Sequence, residues 1–238
     1  MHATERPKGT DARLPARLNL PRIAETLSET QRHIHRAMPD AGPQDAETVA
    51  RNMLSGYAYL DDLSSREQAL LDFGHSARLL ELNTRVLCGI DSACRAEFQA
   101  HLVATERHFY SHTRGNIGEM MDWMAGHRQL PVWEQAAGLY IRVLRQPQLF
   151  IEGNHRTGVL MASAVMMENG LPPFVLRVQS TSAFQTLTDA VTSRSRHGWR
   201  AWLGLRAERR DLATFFEREC LGAYLGQGVS ESRAEVLS

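Results

Sequence analysis

A chain of 238 residues with 27 basic and 27 acidic side chains carries no formal net charge. That balance excludes a global electrostatic pull toward nucleic acid or an anionic membrane surface. Hydrophobic residues make up 43% and charged ones 23%, which is ordinary globular composition, in a chain long enough to bury a real core. Three cysteines, Cys88, Cys94 and Cys220, fit a reducing compartment better than a disulfide framework. The opening MHATERPKGTDARLPARLNL has no apolar h-region, and no run of about eighteen apolar residues follows it anywhere. The expectation is a cytoplasmic protein that neither spans a membrane nor binds nucleic acid; an effector secreted without a cleavable signal would look the same.

In chain order, residues 1–18 are polar, proline-bearing and aperiodic and are expected to form a mobile tail. Residues 20–38 carry Ile23, Leu27, Ile34 and Met38 at helical spacing and should end before Pro39. Helices are also expected over 48–60, over 76–87 with its Leu79, Leu82 and Val86 face, and, more weakly, over 93–104. ERHFYSHTRGN, at 106–116, breaks the period with aromatics, Thr113 and Gly115, and reads as an extended segment or loop. Asn116 can cap IGEMMDWMAG, which Gly126 ends. PVWEQAAGLYIRVLRQ then offers a wide apolar stripe that includes Ala136, Leu139, Tyr140 and Val143. The helix expected over 156–169 is apolar nearly all round, which marks a core element, and Gly170 with Pro172 and Pro173 stops it. PFVLRV is the one short extended piece, and helices over 182–190 and 211–221 complete a mostly α chain.

The densest polar cluster, Glu152 to Arg156, opens that buried helix in QPQLFIEGNHRTGVLMAS. A helix N-terminus presents unpaired N–H groups and the positive end of the macrodipole. A glycine lets the backbone bend close to a bound anion, and the Arg156 guanidinium suits phosphate oxygens. A carboxylate such as Glu152 would repel phosphate unless a hard cation stood between them, so the cluster suggests a Mg-nucleotide site. A plain glycine turn, with Asn154 as cap and a surface Glu152–Arg156 pair, would use the same residues. The Walker loop does not fit, because Val159 and Leu160 stand where its Lys and Ser/Thr are required.

Read as one string, QLFIEGNHR at 148–156 resembles the Fic motif, H-P-F-x-[D/E]-G-N-[G/K]-R, with Phe150, Glu152, Gly153, Asn154 and Arg156 in register. GLPPFVLRVQ resembles the G-x-P-P stretch that often follows the motif in Fic proteins, and LLELNTRVLCG resembles their first core helix. The resemblance implies a Fic-like helical bundle with a short β-hairpin flap, its core over 76–222. Helices over 19–75 would pack on that core, and 223–238 would form a C-terminal tail. It implies an ancestral protein adenylyltransferase, moving AMP from ATP to a Ser, Thr or Tyr hydroxyl. Glu152 would be the Mg²⁺ ligand. Gly153, Asn154, His155 and Arg156 would hold the nucleotide, and a protein target would dock at the flap near 107–115. A homodimer is compatible with the sequence.

Two positions depart from the motif. Gln148 stands where the catalytic histidine belongs, and an amide can orient a hydroxyl but cannot accept its proton. His155 stands where most members have glycine. The protein could therefore work by altered or weakened chemistry, with His155 or a flap histidine, His108 or His112, as base. It could instead be a catalytically silent nucleotide-binding regulator or interaction protein, or its loop could be vestigial.

Overall fold

The computed structural model describes residues 17–38, 44–111, 116–194 and 201–226. Its architecture is helical, and the only β feature among the described residues is an isolated bridge between Leu18 and Leu225. The chain enters α1 (Leu20–Ala37) at Asn19, whose side chain accepts a hydrogen bond from the Arg22 N–H. Asp45 does the same for Thr48 at the start of α2 (Ala46–Ser65), the usual way to satisfy first-turn donors. The second helix outruns its expected end at 60 by five residues. Asp61, in that added turn, is buried, accepting from the Leu18 N–H at 2.8 Å and pairing with Arg17 at 3.0 Å.

Gly89, at φ 62°, ends α3 (Ala77–Cys88). The single helix expected over 93–104 is two, α4 (Ser92–Glu97) and α5 (Gln99–Phe109), parted at Phe98. The expected hairpin flap is corrected here. Residues 106–109 continue α5, because Thr105 and Phe109, one turn apart, form its buried face. Phe109 also stacks on Phe150 at 5.5 Å between ring centroids. Residues 112–115, His112 among them, lie outside the described residues.

Asn116 caps α6 (Ile117–Gly126) by accepting from the Glu119 N–H at 3.1 Å. Pro131 leads into α7 (Val132–Leu144), and α8 (Asn154–Glu168) follows the loop. Thr157 to Met167 of α8 are all buried, because α7, α2 and α3 enclose that helix. Such a helix must be apolar on every side. Gly158 lets the Tyr140 ring close on α8, since a Cβ there would stand 2.9 Å from Tyr140 Cδ2. Beyond α8 the Phe174 carbonyl accepts from Tyr57 Oη at 2.5 Å and Ser163 Oγ at 3.0 Å, fixing the extended PFVLRV stretch against α2 and α8. Finally α9 (Thr181–Arg194) and α10 (Ala201–Glu219) lie against α7. Phe184, Phe215 and Phe216 surround Phe174 with centroids 4.9–5.7 Å apart. Burying each such side chain stabilises the fold by about 1.5–3 kcal/mol. The described ends meet where the Asn19 N–H donates to the Tyr224 carbonyl at 2.8 Å.

Candidate functional site

The polar cluster sits in the turn between α7 and α8, and the turn is pinned from both sides. Gly153 takes the left-handed conformation, φ 77°, which favours a residue without Cβ. The space a Cβ would need is filled: it would lie 3.1 Å from Asn83 Nδ2 and 3.2 Å from Leu87 Cδ2. Asn83, buried on α3, donates through Nδ2 to the Glu152 carbonyl at 2.9 Å and to Thr157 Oγ1 at 3.0 Å. Asn154 is the loop's inner brace. Its Oδ1 accepts from the Phe150 N–H at 2.9 Å, and its Nδ2 donates to the Phe150 carbonyl at 2.8 Å and to Gln148 Oε1 at 3.1 Å.

That arrangement does not match the alternative of a plain glycine turn, in which Asn154 would cap the helix. Its side chain is spent on the loop, and no side chain caps the N-terminus of α8. The first-turn N–H groups therefore have no side-chain capping acceptor. Arg156, on that first turn, donates from Nη1 to Gln44 Oε1 at 2.9 Å and to the Val86 carbonyl at 3.3 Å. Both acceptors are neutral, and among the described residues no carboxylate pairs with it. The surface Glu152–Arg156 pair is thus not formed. Burial holds the Arg156 pKa below its ordinary value against the field of Glu152, so the site contains a partly desolvated positive charge without a direct counter-ion.

Gln148 is half-buried, its side chain drawn to Asn154 and its carbonyl bonded to His108 Nε2 at 2.7 Å. A carbonyl can only accept, so His108 Nε2 carries the proton in this bond and the ring serves as a strut. His155 is exposed on its outer face, with Nδ1 3.1 Å from Tyr140 Oη. Lost solvation around the ring outweighs the field of Asp189 and lowers its pKa, disfavouring the protonated imidazole.

Glu152 projects from the turn with its side chain 48% exposed, and His101 Nε2 of α5 lies 3.8 Å from Glu152 Oε2. That nitrogen is shielded from solvent and has no hydrogen-bond partner. A ring nitrogen without a hydrogen bond, beside a half-exposed carboxylate, fits a cation held between them. Among the described residues no three His, Cys, Asp or Glu side chains converge on one point. A metal at Glu152 would therefore draw its remaining ligands from phosphate and water, as Mg²⁺ sites commonly do.

No family model matches the sequence. Two solved structures that the chain resembles are Fic proteins. One is Fic-1 from C. elegans, at TM-score 0.45 and 16% identity, with 84% of this chain and 60% of that chain covered. The other is a Fic domain containing signaling protein from Bacteroides thetaiotaomicron, at TM-score 0.46 and 12% identity, with 84% and 83% covered. The chain thus spans 60% of the Fic-1 chain.

Asn83, Gln44, Tyr140 and His101 are the site residues that local sequence did not mark. Asn83 had one readable signal, a polar residue on the apolar face set by Leu79, Leu82 and Val86. Gln44 and His101 had none, because only the fold brings them to the loop.

Proposed function

We infer that the α7–α8 turn binds a Mg-nucleotide and that the chain is a Fic-like protein, ancestrally a protein adenylyltransferase, whose AMP transfer is weakened by Gln148. The observation that carries this reading is the N-terminus of α8, which no side chain caps, beside Arg156, a half-buried cation held only by neutral acceptors. Both features favour an anion, and a polyphosphate offers several oxygens to uncapped N–H groups and a guanidinium at once. The pinned turn keeps these donors in place, so little ordering entropy is spent on binding. Glu152, exposed at the same turn, supplies a hard oxygen ligand for Mg²⁺, which would neutralise phosphate charge during transfer.

The target hydroxyl would come to Gln148 in this scheme. The Gln148 amide can hold that hydroxyl through a hydrogen bond but leaves its proton in place. A positioned base typically contributes about 10²–10⁴-fold, so the native chain should transfer AMP weakly at best. The second reading, a nucleotide-binding regulator without transfer, is favoured by one contact: His108, a candidate substitute base, is committed to the Gln148 carbonyl.

Isothermal calorimetry with Mg-ATP and Mg-GTP tests the binding claim. Saturable heat with at least one nucleotide, weakened about tenfold or more by Arg156→Ala, is the expected result. No heat with either up to millimolar concentration would end the nucleotide reading.

A further inference from the structure

We propose that His101 is a second protein ligand of the cation at Glu152, making the site selective for a transition ion such as Mn²⁺ over Mg²⁺. The proposal rests on the nucleotide reading for the ion's remaining ligands, which would be phosphate oxygens and water. His101 and Glu152 come from different elements, α5 and the α7–α8 turn, and meet only in the folded chain. Phe98 sets its ring edge against the imidazole, with centroids 6.3 Å apart, and restricts how the histidine can turn. Nε2 is shielded, has no hydrogen-bond partner and lies 3.8 Å from the carboxylate oxygen. That separation is too long for a hydrogen bond between them. A buried ring nitrogen left without a partner is costly, and a bound cation would remove that cost.

The donor chemistry selects the ion. Mg²⁺ prefers oxygen alone and keeps most of its water, whereas an imidazole nitrogen suits ions further along the first transition row. One carboxylate and one imidazole give a weak site by themselves. Phosphate oxygens would complete it, so Mn²⁺ and nucleotide should each tighten the binding of the other.

Pulsed electron paramagnetic resonance on the full chain with Mn²⁺, with and without ATP, tests this directly. Bound Mn²⁺ should show a nitrogen hyperfine coupling in the native protein that vanishes in His101→Ala and His101→Gln. Both variants should lose about ten- to a hundred-fold in Mn²⁺ affinity while changing Mg-ATP affinity far less. His101→Gln keeps the size and polarity of the side chain, and its melting curve separates lost ligation from lost folding. Bound Mn²⁺ without nitrogen coupling, or unchanged Mn²⁺ affinity in both variants, would overturn the proposal and leave His101 as a simple ion-pair partner of Glu152. Coupled Mn²⁺ in a protein that gives no nucleotide heat would support His101 as ligand and end the nucleotide reading alone. Absence of Mn²⁺ binding under every condition would overturn the ligand pair.

Discussion

Asn83 shows how much of the α7–α8 turn can depend on one amide. Its Nδ2 bonds both the Glu152 carbonyl and Thr157 Oγ1, tying the turn before α8 to the first turn of α8. It also fills the space that a side chain at position 153 would need. Asn83→Ala would leave both acceptors without that donor in a buried setting. We expect a loss of about 1–3 kcal/mol, read as a lower midpoint in urea denaturation, together with weaker Mg-ATP binding. At this scale the sequence was legible where chemistry is local. Glu152, Gly153, Asn154 and Arg156 lie within five consecutive positions, so their type and spacing carried the expectation of a phosphate site. The role of Asn154 was not legible. Asparagine before an apolar run reads as a cap, and only the folded loop reveals that both ends of its amide are already taken.

The element scale is set by the packing of α7 on α8, and Gly158 is a point of close approach between them. An added Cβ would stand 2.9 Å from Tyr140 Cδ2 and 3.2 Å from Cε2, and the same ring carries the hydroxyl that meets His155. Gly158→Ala should therefore cost about 1–3 kcal/mol by overpacking, measurable by thermal unfolding. On the α3–α4 side, Glu81 receives Arg85 at 2.7 Å and Arg95 at 3.0 Å. Burial pushes its pKa up, but the hydrogen bonds from Arg95 and Arg85 outweigh that and hold it below its ordinary 4.5. The folded chain thus disfavours protonation relative to the unfolded chain. This contribution to stability is fully present above pH 4.5 and is lost as pH falls through the lower folded value. Glu81→Gln should flatten that acid limb in pH-dependent unfolding curves. Periodicity revealed most helices because an apolar stripe is a local signal. It failed at 106–109, where an aromatic-rich stretch looked extended; Phe109 remains helical because its ring is buried on Phe150.

At the scale of the whole molecule, the site is a junction. Gln44 before α2, Asn83 on α3, His101 and His108 on α5 and Tyr140 on α7 all reach the entrance of α8. Contacts spanning 15 to 112 residues of sequence leave no local trace, which is why the fold class and the loop were readable while the loop's supports were not. The described helices hold a pinned turn with an exposed carboxylate and an arginine that no carboxylate pairs, and the Gln148 side chain is held against Asn154 beside it. The most direct test of that combination is label transfer from α-labelled ATP by Gln148→His, with Mg²⁺ or Mn²⁺ and a cell lysate as acceptor. A gain of about 10²–10⁴-fold over the native chain is expected, since only the proton acceptor would have been missing. A Gln148→His protein that binds Mg-ATP in calorimetry yet moves no label, to the lysate or to itself, would contradict it.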